Sequence, residues 1–229
     1  MNSTNKRVRR RGIGTTIVLG VLGLGVAYKM AAQAPALLST ASAASIPDAI
    51  ASSIGDDKGA PVGGNPLGSV TIAEFFDYRC PYCRIMQPTL DALVARDRRV
   101  RIVFKEWPIF GGASVTASRV ALAASWQGKY TAVHAALFKL PRTMDEAAIR
   151  QAAAEAGVDM ARLDRDLASR GKEIDAELAR VNGEARALGF QGTPGFVIGS
   201  LVAPGAVPAS ELSKLVDRAA QNPPRPNGS

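Results

Sequence analysis

The chain has 229 residues, 47% of them hydrophobic and 21% charged. Those figures suit a folded globular protein with a sizeable core and exclude a disordered, collagen-like or coiled-coil chain. The net charge is +8, but residues 1–29 hold six basic residues (Lys6, Arg7, Arg9, Arg10, Arg11 and Lys29) and no acidic one; subtracting those six leaves +2 for the rest. A body so close to neutral lacks the electrostatic footprint of nucleic-acid binding, and no nucleic-acid partner is expected. Two cysteines, Cys80 and Cys83, and one histidine, His134, exclude a zinc-finger array, an iron–sulfur cluster held by one chain, a disulfide-rich scaffold and any mechanism needing two histidines.

Residues 6–11 read Lys-Arg-Val-Arg-Arg-Arg, and an apolar run follows from Ile13 to Tyr28. A basic segment followed by an apolar stretch has the form of a secretory signal. As a helix the run measures about 24 Å against about 30 Å of hydrocarbon. Lys29 could snorkel and Met30–Ala36 could extend it. Ala32-Gln33-Ala34 has a cleavable form but precedes Pro35, which favours an uncleaved membrane anchor through residues 13–32. Residues 1–32 are therefore expected to be a signal peptide or membrane anchor. Either one places the body on the periplasmic side of a bacterial inner membrane, a compartment that permits disulfides.

Residues 33–68 are expected to form a flexible linker, because Gly55–Gly68 packs five glycines and two prolines into fourteen residues. Val70–Phe76 alternates like a strand. Asp77-Tyr78-Arg79 turns the chain, and a helix opens at Cys80 or Pro81, since proline suits the first helical position. Ile85, Met86, Leu90, Leu93 and Val94 give that helix an apolar face, with Pro88 inside it. Val100–Trp107 reads as a second strand. Residues 113–188 carry helical spacing, with breaks expected at Gly128, Pro141, Gly157 and Gly171, and are too long for a loop. Phe196–Ile198 and Leu201–Val202 are short strands, Ala209–Ala220 is a last helix, and residues 222–229 read as a disordered tail. The order predicts an α/β domain from residues 69–112 and 189–221 with an inserted all-helical lobe at 113–188.

Cys80-Pro81-Tyr82-Cys83 admits three readings. A structural disulfide closing so small a loop would add only about 2 kcal/mol, against about 3 for a fifteen-residue loop. Two thiolates fall short of a tetrahedral zinc site, though they would suit copper(I), which makes a copper-binding protein the alternative from another class. A redox dithiol is the third, and the strand–motif–helix setting favours it. Pro81 places the first sulfur at a helix start and has no N–H itself, so Tyr82 and Cys83 amides would meet that sulfur. The helix dipole contributes up to about 2 kcal/mol, roughly 1.5 pH units, so direct hydrogen bonds must supply much of a large drop in pKa. Cys80 is then the exposed thiolate nucleophile, and Cys83 resolves the mixed disulfide.

Three separated segments, F-F-D-Y-R-C-P-Y-C-R, F-K-E-W-P-I-F-G and G-T-P-G-F-V-I-G, together resemble the DsbA-like thiol:disulfide oxidoreductases, which have a thioredoxin-like fold with a helical insertion. The resemblance runs from about Gly64 to Ala220. It implies that Cys80 and Cys83 are the redox pair and that no cofactor beyond their disulfide is needed. It implies that Thr193-Pro194 is a cis-proline loop whose backbone binds the client peptide. It also implies that Glu74, six residues before Cys80, is a buried acid that helps move the Cys83 proton. Strand parity places Ile72, Glu74 and Phe76 on one face. Tyr82, with Trp107 or Phe110, could line a groove for clients. His134 reads as structural, and Lys105 and Glu106 as an exposed pair at a strand end.

The implied partners are unfolded or reduced exported proteins and a membrane protein with its own cysteine pair. Thr193 before the proline leans towards isomerases and reductases of the fold. The short, glycine-rich residues 33–68 leave no room for the dimerisation domain of such isomerases, and the oxidase direction is favoured.

Overall fold

The computed structural model describes residues 43–225. The expected signal or anchor, the first ten residues of the expected linker and the end of the tail lie outside them. Among the described residues no helix is long and apolar enough to cross a membrane.

Thirteen elements follow in chain order: β1 (Ala44–Ser45), α1 (Asp48–Gly55), β2 (Val62–Gly64), β3 (Val70–Phe76), α2 (Pro81–Arg96), β4 (Val100–Glu106), α3 (Ala113–Ser125), α4 (Tyr130–Lys139), α5 (Glu146–Glu155), α6 (Met160–Ala187), β5 (Gly195–Ile198), β6 (Leu201–Pro204) and α7 (Ala209–Gln221). The strands form one sheet in the order β1-β6-β5-β3-β4-β2. Only β3 and β4 run parallel, joined through α2.

Helices cover both faces of β3, which explains why V-T-I-A-E-F-F is almost continuously apolar. Val70, Ile72 and Phe76 join one core with α2 and α7, while Ala73 and Phe75 join a second core with α1 and the end of α6. The inserted helices α3–α6 pack mainly against one another, and their buried side chains run on into the core beneath the sheet. Val120, Val133, Leu137, Ile149 and Leu163 share the first core with the sheet.

The expected flexible linker is replaced by structure over residues 44–64. Val62–Gly64 pairs antiparallel with Arg101–Val103 and extends the sheet beyond β4. The glycines there serve close packing: a Cβ on Gly63 would sit 2.8 Å from the Phe104 ring. Past α7, Arg225 reaches back with its Nε 3.2 Å from the Asp48 carboxylate, within the segment expected to be a disordered tail. Gly128, Pro141 and Gly157 fall between helices, but α6 continues through Gly171. A Cβ at Gly171 would lie 2.6 Å from the Arg119 guanidinium of α3, so the glycine admits that side chain. In α2, Met86, Leu90 and Leu93 are buried, whereas Ile85 is 64% exposed and leaves the expected apolar face.

Lys105 and Glu106 are not an exposed pair. Both are buried, because β4 lies between β2 and β3 and ends under helices on both sides. They point to opposite faces. On the second-core side Lys105 Nζ is 2.5 Å from Asp57 and 3.1 Å from Glu184, and Arg180 pairs with both acids. Burial disfavours charge on Asp57, yet Lys105 and Arg180 hold its carboxyl below the ordinary range. The stabilisation is therefore complete above the ordinary carboxyl pKa and lost as pH falls through the depressed one. Asp57→Ala leaves the buried ammonium with one partner and should cost about 3 kcal/mol. That loss would be read as a lower denaturation midpoint at neutral pH that converges with the parent protein as the solution is acidified.

Candidate active site

The chain leaves β3 at Phe76 and turns at Asp77. The buried Asp77 carboxylate accepts from the Arg79 amide at 2.7 Å, the Ser114 hydroxyl at 2.8 Å and the Phe110 amide at 3.0 Å. One side chain thus ties the turn to the loop after β4. The Cys80 amide donates to the Asp77 carbonyl at 3.0 Å. Cys80 has extended dihedrals (φ −70°, ψ 124°) and caps α2, with Pro81 as first helical residue. Both cysteines are free thiols.

Facing this turn, the Thr193–Pro194 peptide is cis. The Pro194 carbonyl accepts from the Gly205 amide at 2.8 Å, which binds the loop to the end of β6. The Cys80 thiol donates to the Thr193 carbonyl at 3.2 Å. That loop covers the sulfur: Cys80 is 2% exposed and Cys83 fully buried, so the expectation of an openly exposed Cys80 is corrected.

The two thiols titrate apart. The Cys80 thiol is lowered to about 6, first because the Cys83 thiol donates to its sulfur and then, against the cost of burial, through Thr193 and the amides of Cys83 and Tyr82. The Thr193 hydroxyl favours the ionised sulfur although it completes no well-formed hydrogen bond. Cys83 is pushed far up by burial, by sharing its proton with Cys80 and by the nearby Glu74 carboxyl.

Glu74 lies mid-strand, opposite Phe104 of β4 and Phe196 of β5. It is fully buried, and neither carboxyl oxygen meets a hydrogen-bond donor among the described residues. Burial, then the charges of Glu106 and Asp91, push its pKa up to about 8. Glu106 is buried on the same face but well provided. Its Oε1 accepts from the Tyr78 and Tyr130 hydroxyls, each at 2.8 Å, and its Oε2 from Ser118 at 2.7 Å. Burial raises Glu106 to about 7 against the pull of those three donors.

His134 is buried beside this network. Its Nδ1 lies 3.1 Å from the Tyr78 hydroxyl and its Nε2 3.2 Å from Gln87 Oε1. Burial lowers its pKa to about 3, so the imidazole is neutral.

Large apolar side chains are exposed on the two segments that Asp77 joins: Tyr82 at the start of α2 is 58% exposed, and in the loop after β4 Phe110 is 47% and Ile109 41% exposed. Trp107 is not among them. Its ring is buried in the second core, and its Nε1 donates to Asn182 at 3.0 Å. Among the described residues no group of three or more His, Cys, Asp or Glu side chains converges as a metal site would.

Sequence reasoning read Asp77 only as part of a turn, missing its tie to Phe110 and Ser114, and missed the Tyr78–Glu106–Tyr130–Ser118 network. An Asp three residues before a helix-opening cysteine is a turn signal that could have found the first. For the second, only the oddity of Lys-Glu closing an apolar strand pointed inward.

The comparisons with known proteins agree with this geometry. Residues 71–217 match the family model described as a DSBA-like thioredoxin domain. The thiol:disulfide interchange protein DsbA of Bordetella parapertussis is 26% identical over 147 residues, covering 61% of this chain and 68% of the relative. Among solved structures, a thioredoxin-like oxidoreductase from Silicibacter pomeroyi is 45% identical at a TM-score of 0.70, covering 74% of this chain and 97% of that one. A periplasmic thioredoxin-like protein from Salmonella enterica is 27% identical at a TM-score of 0.65, covering 78% and 100%. A nucleophilic sulfur at a helix start and three motifs in family order lead to one conclusion: this chain belongs to the DSBA-like thioredoxin domain family and is a thiol:disulfide oxidoreductase.

Proposed function

We propose that the protein works outside the cytoplasm, on the periplasmic side of a bacterial inner membrane, and oxidises exported client proteins through a Cys80–Cys83 disulfide. The single observation that carries the direction is the placement of the two sulfurs, Cys80 at the residue before α2 and Cys83 one turn on and fully buried. A thiolate at Cys80 held by the Cys83 thiol and two helix-start amides stabilises the reduced form. Stabilising the reduced form makes the disulfide a stronger oxidant, by about 30 mV for each factor of ten in the equilibrium constant.

The exchange runs as follows. A client thiolate attacks Cys80 Sγ, and the sulfur–sulfur bond pair passes to Cys83. A sulfur with so high a proton affinity leaves poorly as an anion, so it takes a proton as the bond breaks. Protonated Glu74 is the buried acid that supplies it. A second client thiolate then attacks the client sulfur of the mixed disulfide, releasing the oxidised client and the Cys80 thiolate. Two electrons have moved to the protein. A membrane partner carrying its own cysteine pair takes them, and no cofactor other than the cysteine pair is needed. The exposed rings of Tyr82 and Phe110 suit unfolded chains, and the Thr193 backbone at the sulfur suits an extended client strand.

The basic segment followed by an apolar run at residues 6–28 supports export or anchoring, and the Salmonella relative is a periplasmic protein. The isomerase or reductase direction is the second reading, favoured by Thr193 alone.

A reduction potential near about −120 mV is expected, and a value near about −270 mV would reverse the direction. Insulin reduction without oxidation of reduced ribonuclease would sink the oxidase reading. Thiolate absorbance should titrate near pH 6 for Cys80. In Cys83→Ala, which removes the strongest donor to that sulfur, the midpoint should climb towards the ordinary thiol value of about 8.5. Glu74→Gln should slow disulfide exchange at neutral pH by about 100-fold in stopped-flow measurements, while the folded state survives.

A further inference from the structure

Glu74 and Glu106 stand on adjacent parallel strands. Glu74 is in register with Phe104, and Phe76 with Glu106, so the two acids are diagonal neighbours on one face. Their Cα atoms are about 8 Å apart by strand geometry. Both are buried on the side of Cys83 and α2. The three hydroxyl donors of Tyr78, Tyr130 and Ser118 converge on Glu106, and none reaches Glu74.

Among the described residues the surroundings supply no cation to either. Lys105 lies between them along β4 but points to the opposite face, held by Asp57 and Glu184. From α2 come Cys83, Asp91 and Gln87, while Arg84 directs its guanidinium to the carbonyls of Tyr78 and Phe138. The turn before α2 adds Asp77, committed to two backbone amides and Ser114. From α4 come Tyr130 and the neutral His134, from β5 the ring of Phe196, and from α7 the apolar Leu212, Leu215 and Val216. A negative charge in this pocket therefore settles on the carboxyl that has donors, and the other carboxyl keeps its proton.

We propose that Glu106 is a positioning residue for the proton step: ionised among its three hydroxyls, it is the buried negative charge that keeps Glu74 loaded with the proton Cys83 takes. This rests on the reading of Glu74 as the proton carrier. When the client thiolate opens the disulfide, the O–H proton of Glu74 goes to Cys83 Sγ as that sulfur receives the bond pair. On re-oxidation the Cys83 thiol attacks the mixed disulfide between Cys80 and the membrane partner, and the partner sulfur leaves. The Glu74 carboxylate, made a stronger base by its neighbour, takes the proton back. At about 8 Å and an effective dielectric of about 20, the neighbouring charge is worth about 1.5 pH units.

Glu106→Gln tests this, because the amide oxygen still accepts from the tyrosines and the amide nitrogen can donate to Ser118. The readouts are the Glu74 midpoint by carboxyl-selective carbon-13 NMR and the pH profile of single-turnover disulfide exchange. The expected result is a Glu74 midpoint lower by one to two pH units. The alkaline limb of the profile should move down with it, and the low-pH plateau should be unchanged. Ser118→Ala, which removes one donor from Glu106, should move both in the same direction by less, and serves if Glu106→Gln does not fold. A Glu74 midpoint and limb that stay in place in these variants overturn the proposal. Glu74→Gln separates the two claims: if it abolishes the limb while Glu106→Gln leaves it unmoved, only the role of Glu106 falls. If the limb survives in Glu74→Gln, the proton-carrier reading falls and takes this proposal with it.

Discussion

The interaction between the Cys80 and Cys83 sulfurs, set one turn apart at the start of α2, is the one on which the chemistry depends. It exists because Cys80 is the residue before the helix and Cys83 lies one turn along, where side chains return to the same side. The amides of Tyr82 and Cys83 reinforce it, and Pro81 contributes the helical dihedral without competing for the sulfur. Burial, and after it the same interaction, raise the proton affinity of Cys83, so stabilising one sulfur loads the other. A pair built this way has a ready nucleophile and a reluctant leaving group, which creates the need for a buried acid.

The protein distributes its buried charge unequally about the sheet. On one side Lys105 and Arg180 neutralise Asp57 and Glu184, tying β4, α6 and the segment after α1 together. That arrangement suits a structural role, since each charge has a partner and removing one strands the others. On the other side, among the described residues, two acids are buried with hydroxyls and an uncharged imidazole but no cation. Structure alone gains nothing from an unpartnered carboxyl at Glu74, because a buried polar group without donors is costly. Its place mid-strand, between Phe104 and Phe196, fits the proposed role of a proton store for Cys83.

Access to the sulfur is set by the cis-proline loop and not by the helix. Thr193 sits over Cys80 and offers its carbonyl, so a client must displace that contact or pair alongside it. Asp77 couples this place to the loop carrying Ile109 and Phe110 through the Phe110 amide and Ser114. The exposed apolar side chains and the redox turn are thus parts of one hydrogen-bonded assembly.

Much of the fold was legible because its signals are local. Val70–Phe76 showed its strand by composition, Pro81 marked the start of α2, and Gly128, Pro141 and Gly157 separated helices where left-handed or helix-breaking residues must do so. Glycine misled where it served packing instead of flexibility: Gly63 fits against Phe104 in a paired strand, and Gly171 makes room for Arg119 inside a long helix. Along the chain alone, the spacing of Cys80 and Cys83 and the proline after the first were enough to place a sulfur at a helix start, which favoured a redox dithiol over a structural disulfide or a copper site. Burial was decided only by the tertiary structure. It covered Cys80 with residues 113 positions away, turned Lys105 and Glu106 to opposite faces, and gathered Tyr78, Ser118 and Tyr130 around one of two acids. Those outcomes depend on which helix covers which side of β4, a long-range packing choice that no local pattern of residues encodes.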